Sequence, residues 1–262
     1  MLEHTVTNSL QVMPNQFTIL DVQDRIQEAR SVTVLTGAGI SADSGVPTFR
    51  GPEGLWKNFR PEELASADAF ARDPKLVWEW YNWRRELLAT KLPNPAHEAL
   101  VQLETQLPDF WVITQNVDGL HAAAGTQHLS EIHGNIWKVR CTQCHKISLN
   151  HDVPLPFPPS CADCGELLRP HIVWFGESLA PEDLECSFAA LQRCDILLII
   201  GTSGVVYPAA SFAPVAKDHG ALVVELNLDP TPNSSIVDVS FQGRAKELVP
   251  LLLKNPSSSA FS

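Results

Sequence analysis

Residues 35–50 read LTGAGISADSGVPTFR and follow an apolar, β-branched run at residues 31–36, SVTVLT. A buried strand that ends in closely spaced glycines and opens a helix is typical of phosphate binding, because the turn and the helix N-terminus present backbone N–H groups to an anion. Gly37 and Gly39 hold the two glycine places. A dehydrogenase would continue with a second strand ending in an acidic residue, but a glycine- and proline-bearing segment follows at 44–56. The pattern therefore predicts a dinucleotide site under an ordered loop and disfavours a redox dehydrogenase.

The composition is that of an ordinary globular protein, with one large domain or one large and one small domain. The chain has 262 residues, of which 44% are hydrophobic and 19% are charged. Its formal net charge of −11 argues against nucleic acid or an anionic membrane as a partner, since both bind basic surfaces. No apolar run approaches a membrane span, and the first residues lack the features of a secretory or mitochondrial leader. We expect a cytoplasmic monomer.

Apolar periodicity predicts alternating helices and strands along most of the chain. The predicted helices are 17–30, 93–106, 181–193, 208–219 and 244–254, and the predicted strands are 31–36, 110–114, 195–201 and 222–227. This alternation indicates an α/β fold with a Rossmann-like, doubly wound, mainly parallel sheet, whose sites lie beyond the carboxyl ends of the strands. The large domain is predicted to comprise 17–60, 92–136 and 171–254, with tails at 1–16 and 255–262. The helical segment 61–91 has helix-start signals at Asp68 and Asp73-Pro74. This segment and the zinc-ribbon segment 137–170 are assigned to a small domain.

Six cysteines are present, and four of them form two CxxC pairs. The pairs are Cys141 with Cys144 and Cys161 with Cys164, and sixteen residues separate them. This spacing favours one tetrahedral zinc ion over four unrelated buried cysteines, and a four-thiolate site is closed and therefore structural. Cys186 and Cys194 lie outside the pattern and are predicted to be core residues.

The segment 37–50 resembles the cofactor-loop signature of the sirtuins, which are NAD-dependent protein lysine deacylases. Further similar segments are TQNVDGLH at 114–121, EIHGN at 131–135, RPHIVWFGE at 169–177, GTSGVVYPAA at 201–210 and ELN at 225–227. The resemblance spans about residues 26–253. It implies that NAD is consumed as a co-substrate: the acyl-lysine carbonyl oxygen attacks the ribose carbon that bears nicotinamide. The products are then nicotinamide, O-acyl-ADP-ribose and free lysine.

The resemblance also implies roles for individual residues. His133 matches the catalytic base, a role that suits an imidazole with a reference pKa near 6.5, although residue type alone favours a capping or core histidine. His97, His121 and His171 are interpreted as structural. The implied cofactor-binding residues are Gly37, Ala38, Gly39, Asp43, Phe49, Arg50, Trp56, Gln115, Asn116, Asp118, Gly201, Thr202, Ser203, Asn227, Leu228, Asp229 and Ala245. Without the resemblance, residues 115–118 would be an Asx-rich turn and Arg50 a solvent-facing side chain.

The implied substrate residues fall into two groups. The first comprises two extended segments between which family members hold the acyl-lysine peptide as an added strand. These segments contain Val173, Trp174, Phe175, Gly176 and Glu177, and Val206 and Tyr207. The second group is a YxxR pair, Tyr81 and Arg84, which resembles the class III sirtuins and implies an acyl pocket for succinyl, malonyl or glutaryl groups. A guanidinium can bind a carboxylate through two hydrogen bonds, and a phenol adds a third donor.

Other interpretations remain open from the sequence. Arg84 and Arg85 would ordinarily be surface charges near Glu79 and Glu86, with Tyr81 in the core. The enzyme would then be a deacetylase without preference for acidic acyl groups. Mono-ADP-ribosyl transfer is a second alternative. A non-catalytic zinc-ribbon or NAD-sensing module is a third, and the presence of His133 together with the Asn116 and Asp118 pair disfavours it.

Overall fold

The computed structural model describes residues 17–48 and 61–254, and six strands of these segments form the main sheet. They are β1 (Ser31–Thr36), β2 (Asp109–Thr114), β3 (Leu129–Glu131), β7 (Ile196–Ile200), β8 (Leu222–Asn227) and β9 (Val239–Gln242). All of them pair in parallel, in the order β3-β2-β1-β7-β8-β9. Every residue of β1 and β7 is buried. That burial explains why β7 is a continuous apolar run; in β1, the buried hydroxyl of Thr33 donates to Ala190 O at 3.2 Å and that of Thr36 donates to Thr114 Oγ1 at 2.8 Å.

Helices cover both faces of this sheet. On one face lie α1 (Ile19–Glu28), α6 (Pro95–Gln106) and α10 (Ala245–Leu253), and on the other lie α8 (Pro181–Arg193) and α9 (Phe212–Asp218). Two short helices, α2 (Ala38–Ala42) and α7 (Leu120–Ala124), follow β1 and β2. The predicted doubly wound α/β architecture is confirmed.

A second sheet and three helices share a separate apolar core. The antiparallel sheet has the order β5-β4-β6, with β4 (Gly134–Cys141), β5 (Ile147–Leu149) and β6 (Leu168–Ile172). The helices are α3 (Pro61–Leu64), α4 (Ala67–Arg72) and α5 (Pro74–Leu88). Trp78 of α5, Ile136 of β4 and Trp174, just after β6, belong to this core. The segments assigned to the small domain therefore pack together, and the domain boundaries themselves stay a prediction.

The structure divides two segments that were predicted to be helical. The segment 61–91 forms three helices, because Ser66 caps α4 and Asp73 caps α5, with Pro74 in the first turn of α5. The segment 208–219 begins with the 3₁₀ turn Ala209–Ser211 before α9.

One of the two remaining cysteine predictions is wrong. Cys194 is buried, as predicted, whereas Cys186 is exposed on α8. The adjacent Ser187 takes the inward place on this helix, where its hydroxyl donates to Asp183 O at 2.6 Å.

Within residues 17–48 and 61–254, no helix has the length and apolar character needed to cross a bilayer.

Candidate active site

A cavity of about 880 Å³ opens at the carboxyl ends of β1, β2, β7 and β8. Most of the predicted site residues line it. On the cofactor side these are Gly37, Ala38, Gly39, Asp43, Gln115, Asn116, Gly201, Thr202, Ser203, Asn227, Leu228, Asp229 and Ala245. His133 lines the same cavity, together with the predicted substrate residues Tyr81, Arg84, Val173, Trp174, Phe175, Gly176, Glu177, Val206 and Tyr207. The fold thus assembles one site from segments that are widely spaced in the sequence.

The remaining predicted residues lie elsewhere. Asp118 lines a small adjoining cavity, and Arg84 and Asn116 border both spaces. Phe49, Arg50 and Trp56 lie outside the described residues.

The glycine loop after β1 packs directly against the end of β7. A Cβ atom on Gly37 would lie 2.7 Å from Gly201 O, and one on Gly39 would lie 2.6 Å from Gly201 Cα. The Gly39 N–H donates to Gly201 O at 2.8 Å. Both glycines are therefore needed for contact between two strand ends, in addition to the predicted backbone approach to a pyrophosphate.

Polar side chains after β2 tie three strand ends together. Asn116 is buried, and its Nδ2 donates to Gly37 O at 3.0 Å. Gln115 Nε2 donates to Thr202 Oγ1 at 2.8 Å. Asp118 Oδ1 accepts from Leu120 N at 2.9 Å, a contact typical of an Asx turn, and burial raises the pKa of Asp118. Cavity-facing backbone and amide groups near these side chains can hold the polar parts of a dinucleotide.

His133 is placed as a proton acceptor. Its Nδ1 lies 3.0 Å from Gln115 O. A carbonyl oxygen only accepts hydrogen bonds, so Nδ1 carries the proton and Nε2 keeps its lone pair. Burial is the main influence on the His133 pKa and lowers it, although the contact with Gln115 opposes that shift. The imidazole is therefore neutral at physiological pH and can accept a proton at Nε2.

Tyr81 and Arg84 are both buried beside the cavity. Trp174 Nε1 donates to the Tyr81 hydroxyl at 2.9 Å, and burial raises the pKa of Tyr81 to about 12. The Arg84 guanidinium carbon lies 5.0 Å from the centre of the Trp80 ring. Arg84 is only 7% exposed; burial lowers its pKa, and electrostatic interactions with Tyr81 and Asp118 oppose that shift. The interpretation of Arg84 as a surface charge is wrong.

The neighbouring residues of α5 have different contacts. Asn82 exchanges two hydrogen bonds with the backbone of Leu155, at 2.8 and 2.9 Å, so it faces the cysteine-bearing segment. Trp83 is 40% exposed and lines only the small adjoining cavity. Arg85 is fully buried and donates to Ile136 O at 2.9 Å, so it too is not a surface charge.

The four CxxC cysteines converge at one end of the small sheet. Their sulfur atoms all lie within 4.8 Å of one another, with Cys141 Sγ 3.4 Å from Cys164 Sγ and Cys144 Sγ 3.7 Å from Cys161 Sγ. These separations are too long for disulfides and close to the value of about 3.8 Å expected for tetrahedral zinc–thiolate coordination. The cluster fits a structural zinc ion, as predicted.

Some residues of the cavity were not anticipated from the sequence. Trp80 lines it beside Arg84, and the four-residue spacing of these two on a helix was the available signal. Arg244 also lines it and pairs with Asp43 at 2.8 Å, which ties α10 to α2. A basic residue at a helix N-terminus opposes the helix dipole, and this unusual placement was the signal there.

Known proteins resemble this chain along most of its length. The sequence profile of the Sir2 family matches residues 37–208. A protein of Aquifex aeolicus named NAD-dependent protein deacylase is 52% identical over 219 residues, which cover 83% of this chain and 92% of the relative. A solved mutant of a Sir2 homologue in complex with ADP-ribose has a TM-score of 0.86 and 42% identity, and the match covers 92% of this chain and 98% of the chain in that complex. A Sir2 mutant with a deacetylated peptide and 3′-O-acetyl-ADP-ribose has a TM-score of 0.80 and 33% identity, covering 90% and 98%.

Proposed function

This chain belongs to the Sir2 family and is an NAD-dependent protein deacylase, and we propose that it prefers lysines that carry succinyl, malonyl or glutaryl groups. The observation that carries the proposal is the burial of the Arg84 guanidinium in the cavity that His133 lines. A carboxylate at the end of the acyl chain complements that guanidinium, whereas the methyl group of an acetyl chain does not.

The neighbouring aromatic residues support this acyl pocket. The Tyr81 hydroxyl accepts from Trp174 Nε1, which leaves its own proton to donate to an acceptor. Because burial raises the pKa of Tyr81 to about 12, the phenol keeps that proton at physiological pH. Trp80 stacks beside Arg84 and limits its movement. Two donors are thus held in place before an acidic acyl group arrives.

We assign the chemical roles from the geometry and the family. NAD, when bound, supplies the ADP-ribosyl group that receives the acyl chain, with nicotinamide as the leaving group. Gly37, Gly39 and Asn116 belong to the end of the cavity that would hold the diphosphate and nicotinamide ribose. His133 accepts a proton from a ribose hydroxyl at Nε2, because Nδ1 is committed to Gln115 O.

The peptide would lie across the mouth of the cavity as an added strand. Phe175 and Tyr207 are 51% and 78% exposed and flank this opening from the two predicted segments. Backbone hydrogen bonds would then supply affinity without strong sequence preference. The net charge of −11 disfavours nucleic acid and anionic membranes as partners. We further propose that the protein is a cytoplasmic monomer that binds acylated proteins.

The decisive experiment replaces Arg84 with methionine, which keeps the side-chain volume and removes the charge. In Arg84→Met, kcat/KM for a succinyl-lysine peptide should fall by roughly 30- to 1,000-fold, as for a buried ion pair that loses one partner. Cleavage of the matching acetyl-lysine peptide should stay largely intact. Arg72→Met is the matched control, because Arg72 is exposed on the neighbouring helix α4. An equal loss on both peptides would remove Arg84 from the acyl pocket.

Deacetylation without acidic preference is the second candidate. It is favoured by the related Sir2 mutant whose solved complex contains a deacetylated peptide and acetyl-ADP-ribose. Wild-type kinetics on matched acetyl- and succinyl-lysine peptides, each with and without NAD, distinguish the two candidates. Equal kcat/KM values would favour the second.

A further inference from the structure

A fully buried glutamate lies behind the loop that follows β8. Glu225 is 0% exposed, and its two carboxylate oxygens accept hydrogen bonds from three hydroxyl groups. Thr231 donates to Oε1, while Ser234 and Ser240 donate to Oε2, the last at 3.0 Å. Thr231 and Ser234 belong to the loop, and Ser240 lies on β9. A carboxylate has no proton to donate, so all three hydroxyl protons must point toward it.

The direction of these hydrogen bonds determines how the loop folds. Because its proton points to Glu225, the Thr231 hydroxyl is available to accept from Asn233 N at 3.1 Å. For the same reason the Ser234 hydroxyl accepts from Thr231 N at 2.8 Å. The second of these bonds is one half of the capping box of the 3₁₀ turn Pro232–Ser235, whose other half runs from Ser234 N to the Thr231 side chain. The turn thus depends on Glu225, because its carboxylate oxygens accept the protons of the two hydroxyl groups that hold the turn.

The same loop forms one wall of the cavity. Residues 228–232 line it, directly after Asn227, whose Nδ2 donates to Thr202 O at 2.7 Å. Asn233 of the turn packs against the end of β7, because a Cβ on Gly204 would lie 2.9 Å from Asn233 Nδ2. The position of the turn therefore affects both strand ends at this side of the site.

We propose that Glu225 is a positioning residue for the adenosine half of NAD. It does not touch the cavity; it acts through Thr231 and Ser234, which hold residues 228–232 in place. The inference rests on the proposed function only in placing the adenosine half beside Asn227, and it does not depend on the acyl preference.

Two adjacent serines allow a matched test. Ser234 donates to Glu225, whereas Ser235 is exposed and donates to Pro232 O at 3.1 Å. In Ser234→Ala, the Kd for ADP-ribose, measured by calorimetry, and the KM for NAD should rise about fivefold or more, because the charge-assisted bond to Glu225 and the bond from Thr231 N are both lost. The kcat and the KM for the acyl-lysine peptide should change less than about twofold. Ser235→Ala should leave all four values unchanged.

Glu225→Gln is the second variant that tests the positioning role. Its amide oxygen can still accept from Ser234 and Ser240, but its amide nitrogen would face the Thr231 hydroxyl, so we expect the same direction of change in Kd and KM. A lower melting temperature with unchanged ADP-ribose affinity in both variants would overturn the positioning role. That result would leave the acyl preference standing, because the preference is tested by the ratio of succinyl to acetyl turnover in the wild-type protein.

Discussion

At the scale of single residues, His133 owes its tautomer to one backbone contact and its lowered pKa to burial. The sequence identified this histidine through its motif, whereas the contact with Gln115 O joins residues that the fold alone brings together. Burial was equally invisible in the motif, because EIHGN is a polar stretch.

The lowered pKa predicts the acid limit of activity. A neutral imidazole is the active form, and it persists to lower pH when its pKa is below the ordinary value. We therefore expect the acid limb of the kcat/KM profile to lie below about pH 6.5. Steady-state rates between pH 5 and 8 with saturating NAD test this. An acid limb at or above the ordinary histidine pKa would contradict the assignment of His133 as the base.

Gly39 makes a second prediction at this scale. A methyl group in Gly39→Ala would overlap the backbone of Gly201, which cannot move aside without shifting β7. We expect a loss of about 1–3 kcal/mol in unfolding free energy and a higher KM for NAD. Gly243→Ala is the control, since its Cβ would meet only the flexible side chain of Leu248 at 3.0 Å. Equal effects on stability in urea unfolding would count against the packing argument.

At the scale of elements, prediction succeeded where one local signal dominated. The buried strand β1 was predicted at its observed bounds from its β-branched run, and Asp73-Pro74 correctly marked the start of α5. β3 and β5 have three residues each and were not predicted, because a segment so short has no measurable periodicity. β9 was missed as well; it has four residues and is flanked by polar loops.

Helix α6 carries a pH-sensitive cap. His97 Nδ1 accepts from Asn94 N at 3.3 Å, and the His97 ring lies 4.9 Å from that of His121. Burial lowers the pKa of His97 to about 4 and that of His121 well below its ordinary value. The unfolded chain takes up protons near pH 6.5 while the folded chain does not. The two neutral histidines therefore contribute fully to the free energy of unfolding above pH 6.5, and this contribution is lost as the pH falls toward 4.

We expect the lowered pKa of His97 to reduce the free energy of unfolding by about 2 kcal/mol when the pH falls from 7.5 to 5. His97→Gln keeps an acceptor in the capping box and removes the titration, so its stability should vary less with pH by that amount. Urea unfolding at the two pH values measures the difference. The same pH dependence in His97→Gln as in the wild type would reject the argument.

At the scale of the whole molecule, the sequence was sufficient for the sheet but not for the cavity. The alternation of helices and strands predicted the doubly wound architecture, because that pattern is read from the chain in order. The depth of Arg84 could not be read, since the groups around it include Asn116 and Asp118, which the fold alone brings next to α5. Family resemblance supplied the residue pair, and only the structure excluded a surface position.

The zinc ion should affect the active site as well as the small sheet. β4 runs from Gly134, next to His133, to the metal ligand Cys141, and Trp137 in its middle donates to Asp118 O at 2.8 Å. Chelation should therefore unfold the small sheet and reduce deacylation. The main sheet should stay folded, so most of the circular dichroism signal should remain. Restored activity after zinc is added back is the control. Full activity in protein shown to be free of metal would contradict this link.

The two consecutive arginines of α5 have separate consequences for how such an enzyme can change. A helix turns about 100° per residue, so Arg84 faces the cavity while Arg85 faces the backbone of Ile136 and the cysteine-bearing segment. The side chain that we propose selects the acyl group and the side chain that anchors α5 are thus adjacent in sequence but face different surroundings. A replacement at position 84 would then change the proposed acyl pocket while leaving the hydrogen bonds of Arg85, and with them the attachment of α5 to the small sheet, in place.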